Sequence, residues 1–176
     1  MSEIAMKNVF KKDLQRYYGG KGEPFLKKMF RPGVIRYIWV FRKANTCRFL
    51  PLKLFYMLYL MGLSHKTQIQ IPARTSIGEG LYIGYPGMVV VNPEAKFGRN
   101  LTIETGVTVG MENRGKRQGT PTIGDNCFIG TNAVVVGNVK IGNNVTIAPL
   151  AYVNFDVPDN SYVEGNPGRI VKTEDL

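Results

Sequence analysis

From Ile71 to Val153 an aliphatic or aromatic apolar residue returns at every sixth position, and no helix can absorb that period. The series runs Ile71, Ile77, Ile83, Val91, Phe97, Ile103, Val109, Ile123, Ile129, Val135, Ile141, Ile147, Val153. Position minus two is small or apolar as well, as at Ala95, Leu101, Val107, Cys127, Ala133, Val139 and Val145. Two apolar residues spaced by two describe a short strand with one buried face, whereas a helical face recurs every 3.6 residues. Glycine often follows, as at Gly78, Gly98, Gly124, Gly130 and Gly142, and supplies a permissive corner. Six residues per strand and corner make a β-solenoid, in which each turn buries its apolar row only by stacking on the next. The series is therefore read as core, and function is sought where it breaks. It breaks twice, with an eight-residue step from Ile83 to Val91 and a fourteen-residue step from Val109 to Ile123.

Charge divides the chain. Residues 1–66 hold 14 Lys and Arg against 3 acids, a balance of +11, and 12 of the 19 aromatic residues; residues 67–176 hold 9 against 10, a balance of −1. Such a basic, aromatic segment seeks anionic partners. Pro24, Pro32-Gly33 and Pro51 divide it, and Val34–Phe41 and Leu52–Met61 read as helices that begin just after Pro. The uncharged apolar stretch from Leu54 to Leu63 is about half of what spans a bilayer. This segment is expected to cover the end of the solenoid, and in addition to touch an anionic membrane peripherally. No nucleic-acid-binding motif is present, so nucleic acid is not an expected partner. Cys47 and Cys127 fit neither a metal site nor a redox pair, and no metal-ligand cluster stands out. Residues 1–15 lack a secretory pattern, so the expected compartment is the cytoplasm.

The hexads, the excursion Gly110–Thr122 and the closing run Val157-Pro-Asp-Asn-Ser-Tyr-Val-Glu-Gly-Asn-Pro-Gly-Arg-Ile-Val171 together resemble the hexapeptide-repeat acyltransferases. Within them the chain looks most similar to the serine acetyltransferase branch, especially its short members of polysaccharide biosynthesis. The resemblance implies a mainly β fold, a left-handed parallel β-helix with an N-terminal α-helical segment. It divides the chain into a helical segment 1–66, a β-helix 67–165 with the loop 110–122, and a tail 166–176. It also implies a homotrimer that binds acetyl-CoA as acyl donor in the groove between neighbouring solenoids. The positions that match its pantetheine path are Gly130, Thr131 and Ala148, with Ala133 beside them. The loop cations Arg114, Lys116 and Arg117 match a segment that reaches over the neighbouring subunit, where they meet anionic groups or remain solvated. Asn166, Pro167, Arg169 and Lys172 match the segment bordering the nucleotide.

Three family positions depart. Where the resemblance expects a catalytic His, the chain reads Ile83-Gly84-Tyr85-Pro86-Gly87; where it expects a second His before a Pro, the chain has Thr120-Pro121; an upstream acid aligns with Gln70. The single histidine, His65, precedes the solenoid and is read as structural. A tyrosine phenol ionises near pH 10, so it acts as a base at neutral pH only where its surroundings favour the phenolate. Candidates for the base are therefore Tyr85, Glu104 and Glu112. Three outcomes stay open. One is O-acetyl transfer to a sugar hydroxyl in surface-polysaccharide synthesis, in preference to L-serine. Another is transfer to an amino sugar, which needs no strong base. The last is a catalytically silent trimeric CoA-binding or assembly module.

Overall fold

Every residue of the sixfold series is buried, and the positions two before each are buried with them. The computed structural model describes residues 3–19 and 33–171. Among the described residues three helices come first: α1 (Glu3–Tyr18), α2 (Val34–Thr46) and α3 (Leu50–Thr67). Helix α1 lay outside the two helices read from the sequence, and α3 starts at Leu50 with Pro51 inside its first turn, where the missing N–H costs nothing. The expected breaks at Pro24 and Pro32 lie outside the described residues.

The chain then winds as a left-handed β-helix with three flat faces. The first face stacks β1 (Ile69–Gln70), β4 (Val89–Val91), β7 (Thr108–Gly110), β10 (Val134–Val136) and β13 (Tyr152–Val153). The second stacks β2 (Ser76–Ile77), β5 (Lys96–Phe97), β8 (Thr122–Ile123) and β11 (Lys140–Ile141). The third stacks β3 (Tyr82–Ile83), β6 (Thr102–Ile103), β9 (Phe128–Ile129), β12 (Thr146–Ile147), β14 (Tyr162–Glu164) and an antiparallel β15 (Arg169–Val171). Ile129 stands over Ile147, so a regular turn takes 18 residues. The turn from Ile83 to Ile103 takes 20, and that from Ile103 to Ile129 takes 26. Both surpluses match the breaks in the period.

The corner glycines serve a purpose other than the one the sequence suggested. Gly124 has no left-handed backbone; a Cβ there would fall 2.6 Å from the carbonyl oxygen of Gly142 on the next turn. Glycine is present because the turns approach too closely for a side chain. At the corner after the second face the left-handed conformation is taken mainly by asparagines: Asn100, Asn126, Asn144 and Asn160 have φ of 56°, 58°, 55° and 58°. Asparagine tolerates that region better than other side-chain-bearing residues. Their amides also bond in a continuous ladder, each Nδ2 donating to the next Oδ1 at 2.9, 3.0 and 2.9 Å.

The first turn would leave three strand edges without partners, and side chains of the helices supply them. The Tyr37 hydroxyl accepts from the Ile71 N–H at 2.9 Å and donates to the Ile71 carbonyl at 3.1 Å. Asn45 Nδ2 donates to Ala73 and Thr75. Arg42 donates to the carbonyls of Ile77 and Gly78, each at 2.6 Å, and to both oxygens of Asp13 at 2.9 and 3.0 Å. Asp13 Oδ1 in turn accepts from the N–H groups of Gly80 and Leu81, both at 2.8 Å. The Tyr17 hydroxyl accepts from and donates to Ile83, each at 2.8 Å. Burial pushes the Tyr17 and Tyr37 phenols upward from their ordinary value, so both keep the proton they donate.

Asp13 and Arg42 are 1% and 3% exposed. Removing one partner of a buried pair costs about 3–5 kcal/mol. Arg42→Ala is expected to lower unfolding free energy by about that much in urea titration. Because each partner also holds backbone groups, the double variant Asp13→Ala/Arg42→Ala should recover little of the loss. Gly124→Ala should destabilise by about 1–3 kcal/mol through overpacking, read as a lower melting temperature.

Candidate active site

The two breaks in the period fall on opposite edges of the first face. The first inserts residues between β3 and β4, at the corner joining the third face to the first, and carries Tyr85 outward to 71% exposure. The second inserts the loop between β7 and β8, at the corner joining the first face to the second.

At the first of these corners the register builds a column. Gly84 donates to the Ile103 carbonyl at 3.1 Å, Glu104 to that of Ile129 at 3.0 Å, Gly130 to Ile147 at 2.8 Å and Ala148 to Val163 at 2.8 Å. Gly84, Glu104, Gly130, Ala148 and Glu164 are thus stacked one per turn, directly after the buried Ile or Val of each. The Glu104 carboxylate lies against the Gly84 α-carbon: a Cβ on Gly84 would sit 2.1 Å from Oε2 and 2.9 Å from Oε1. Thr105 takes the same relation to Gly87, its Oγ1 standing 1.8 Å from where a Cβ would be. The carboxylate and a hydroxyl therefore occupy the space left by the two glycines, Gly84 and Gly87, that bracket Tyr85 in the chain.

Two of the residues matched to cofactor binding, Gly130 and Ala148, belong to this column, and Thr131 follows Gly130 directly. Gly130 is small for a packing reason as well, since its Cβ would meet Pro149 N at 2.6 Å and the Ala148 carbonyl carbon at 2.9 Å. Ala148 is buried and Thr131 is half-buried. Below them the segment from Gly165 to Gly168, with a cis bond between Asn166 and Pro167, folds onto Tyr152: Tyr152 donates to the Gly165 carbonyl and Gly168 to the Tyr152 carbonyl, both at 2.9 Å. Pro167 and Asn166 thereby reach the same corner. Arg169 is engaged with Glu164 at 2.9 Å, and Lys172 lies outside the described residues.

The loop residues do not join them within one chain. Glu112 and Gly119 exchange two backbone hydrogen bonds of 3.0 Å, which fold the excursion back on itself. The Glu112 carboxylate faces inward, with Oε2 2.9 Å from where a Gly137 Cβ would stand. The Arg117 carbonyl accepts from Asn138 at 2.7 Å and its Nη1 lies 3.5 Å from Asp156. Arg114 and Lys116 are exposed. Glu112, Lys116 and Arg117 thus lie across the first face from Tyr85 and Glu104.

His65 is exposed in the last turn of α3 and lines an open groove of about 780 Å³ with Met57, Met61, Gln70, Ile71 and Met88. Cys127 is buried, and burial raises its thiol above the usual value. No group of three or more metal-ligating side chains occurs among the described residues. Sequence reasoning did not single out Thr105 or the contact of Glu104 with Gly84. Their signal is the 20-residue register of Ile83 on Ile103, which appears only once the two-residue surplus is assigned to the corner.

Residues 120–154 match the family model described as bacterial transferase hexapeptide (six repeats). A serine acetyltransferase of Staphylococcus aureus (strain Mu50 / ATCC 700699) is 43% identical over 110 residues, 61% of this chain and 51% of that protein. A serine acetyltransferase of Staphylococcus epidermidis is 39% identical over 108 residues, with the same shares. The chain spans about half the length of these curated relatives. Among solved structures, the serine acetyltransferase of Neisseria gonorrhoeae in complex with serine has a TM-score of 0.79 at 27% identity, over 97% of this chain and 71% of that one. A soybean serine acetyltransferase complexed with serine gives 0.82 at 23% identity over 96% and 70%, a likeness of fold. In both sequence and fold the chain resembles the hexapeptide-repeat acyltransferases, and among them the serine acetyltransferase-like branch.

Proposed function

We propose that this protein is a cytoplasmic, acetyl-CoA-dependent acetyltransferase of a small hydroxyl compound, working as a homotrimer with its site between subunits. The observation that carries the reading is the Glu104 carboxylate seated against Gly84 beside the exposed Tyr85, in the column that continues through Gly130 and Ala148 to the tail. A serine acetyltransferase solved in complex with CoA shares the fold at a TM-score of 0.79 and 22% identity. The relatives' names make L-serine the first acceptor to test. A sugar hydroxyl or an amino sugar of surface-polysaccharide synthesis is the second, favoured by Tyr85, Gln70 and Thr120 standing where the resemblance expects a base, an acid and a second His.

An alcohol is a weak nucleophile until its proton is removed. Glu104 takes that proton as the acceptor oxygen attacks the thioester carbonyl carbon. The C–O bond forms, the C–S bond breaks, and Glu104 passes the proton it took to the released sulfur. Tyr85 orients the acceptor by hydrogen bonding. The cofactor's anionic groups need cations, and the loop of a neighbouring subunit brings Lys116 and Arg117, which no single chain places at this corner.

Thiol release from acetyl-CoA, measured with serine, sugars, nucleotide sugars and amino sugars, tests the reading. Glu104→Gln is expected to lower kcat by about 10²–10⁴-fold with the preferred acceptor, and Tyr85→Phe by less. Should Tyr85→Phe cost as much as Glu104→Gln, the phenol is the base instead; CoA binding with no turnover on any acceptor returns the protein to a silent module. Lys116→Ala/Arg117→Ala should raise KM for acetyl-CoA by about tenfold with kcat little changed. An unchanged KM removes the loop from the site.

A further inference from the structure

Helix α3 is attached along a narrow side and bare on the rest. Of its 18 residues only Leu60, Leu63 and Thr67 are buried. Phe49, Leu50, Leu52, Leu54, Phe55, Met57, Leu58, Tyr59 and Met61 are between 37% and 68% exposed, nine of the sixteen large apolar side chains exposed among the described residues. Soluble monomers seldom show a patch of that size unless something covers it. The open groove of about 780 Å³ beside it, lined by Met57, Met61 and Met88, continues the apolar surface. At 100° per residue, the exposed residues of α3 sweep well over half of the helix circumference, too wide to be a seam for one partner helix.

Charge selects the occupant. No Asp or Glu occurs from residue 24 to residue 78, whereas residues 33–78 hold seven Lys and Arg. Arg48 and Lys53 lie at the start of α3 and His65 and Lys66 at its end, so cations flank the apolar stretch on both sides. A second copy presenting this same segment would set two acid-free basic stretches against one another. No helix among the described residues is long and apolar enough to cross a membrane. We propose that α3 lies flat on an anionic lipid surface, its exposed Leu, Phe and Met side chains at the acyl boundary and Arg48, Lys53 and Lys66 level with the phosphates. This association is independent of acetyl transfer, and either reading stands if the other fails.

The test is co-sedimentation of the full chain with phosphatidylcholine vesicles, with and without about 30% phosphatidylglycerol, at low and high salt. The expected result is a bound fraction at least about tenfold higher on the anionic vesicles at low salt, falling as salt rises. Phe55→Ser/Leu58→Ser should reduce the partition coefficient by about tenfold or more, and Arg48→Gln/Lys53→Gln should remove the preference for anionic lipid. Phe55, Leu58 and Arg48 are exposed and Lys53 is half-buried, and the wild-type comparison of the two vesicle types decides the matter without the variants. Equal retention on neutral and anionic vesicles, or retention on neither, overturns the proposal. So does a smaller oligomer on changing Phe55 and Leu58, which would show that another copy of the chain covers the helix.

Discussion

A stacked parallel sheet is satisfied everywhere except at its ends, and in this protein the upper end is closed by side chains of the leading helices rather than by another turn. Tyr37, Asn45, Arg42, Asp13, Tyr17 and Arg16 bond main-chain groups between Ile71 and Leu101. An unpaired buried N–H or carbonyl costs roughly what a lost hydrogen bond costs, so an uncapped first turn would fray and expose the row beneath it. The helices add apolar cover as well: Tyr37, Ile38, Val40 and Phe41 join one continuous core with Ile69, Ile71 and the solenoid row below. Asp13 and Arg42 neutralise each other while each serves the backbone, which is why two charges can lie at 1% and 3% exposure.

That arrangement fixes where chemistry can occur. Regular turns present closed corners in which glycine or alanine lies under the backbone of its neighbour. The period is lengthened at two places, on either edge of the first face. One exposes Tyr85, with Glu104 and Thr105 against the glycines on either side of it, and the other forms the basic loop. Because the first face lies between them within a chain, the loop enters the proposed site only as a neighbouring subunit's.

Much of this was readable beforehand because the solenoid repeats locally. The sixfold beat specifies strand, corner and core at once, and Ile71 through Val153 lie where the beat puts them. Helix α1 was not read, because its ties to the solenoid run through Asp13, Arg16 and Tyr17, polar side chains whose partners are 60 or more positions away. The corner glycines were assigned to backbone freedom, and the pattern alone could not reveal that they make room for the next turn while Asn100, Asn126, Asn144 and Asn160 take the left-handed conformation. Among the site residues, Tyr85 and Glu104 stood out in the sequence, yet their adjacency depends on which corner receives the two surplus residues.

The lower end is closed by different means. Strand β15 turns back and runs antiparallel to β14, pairing Tyr162 with Val171, Val163 with Ile170 and Glu164 with Arg169. A parallel stack can in principle grow without limit, because each new rung offers the same docking edge to whatever follows, including another molecule. A final rung of reversed polarity presents the wrong hydrogen-bond spacing to a further parallel turn. On the third face this makes the reversed strand a molecular stopper against end-to-end fibre growth, keeping the repeat discrete.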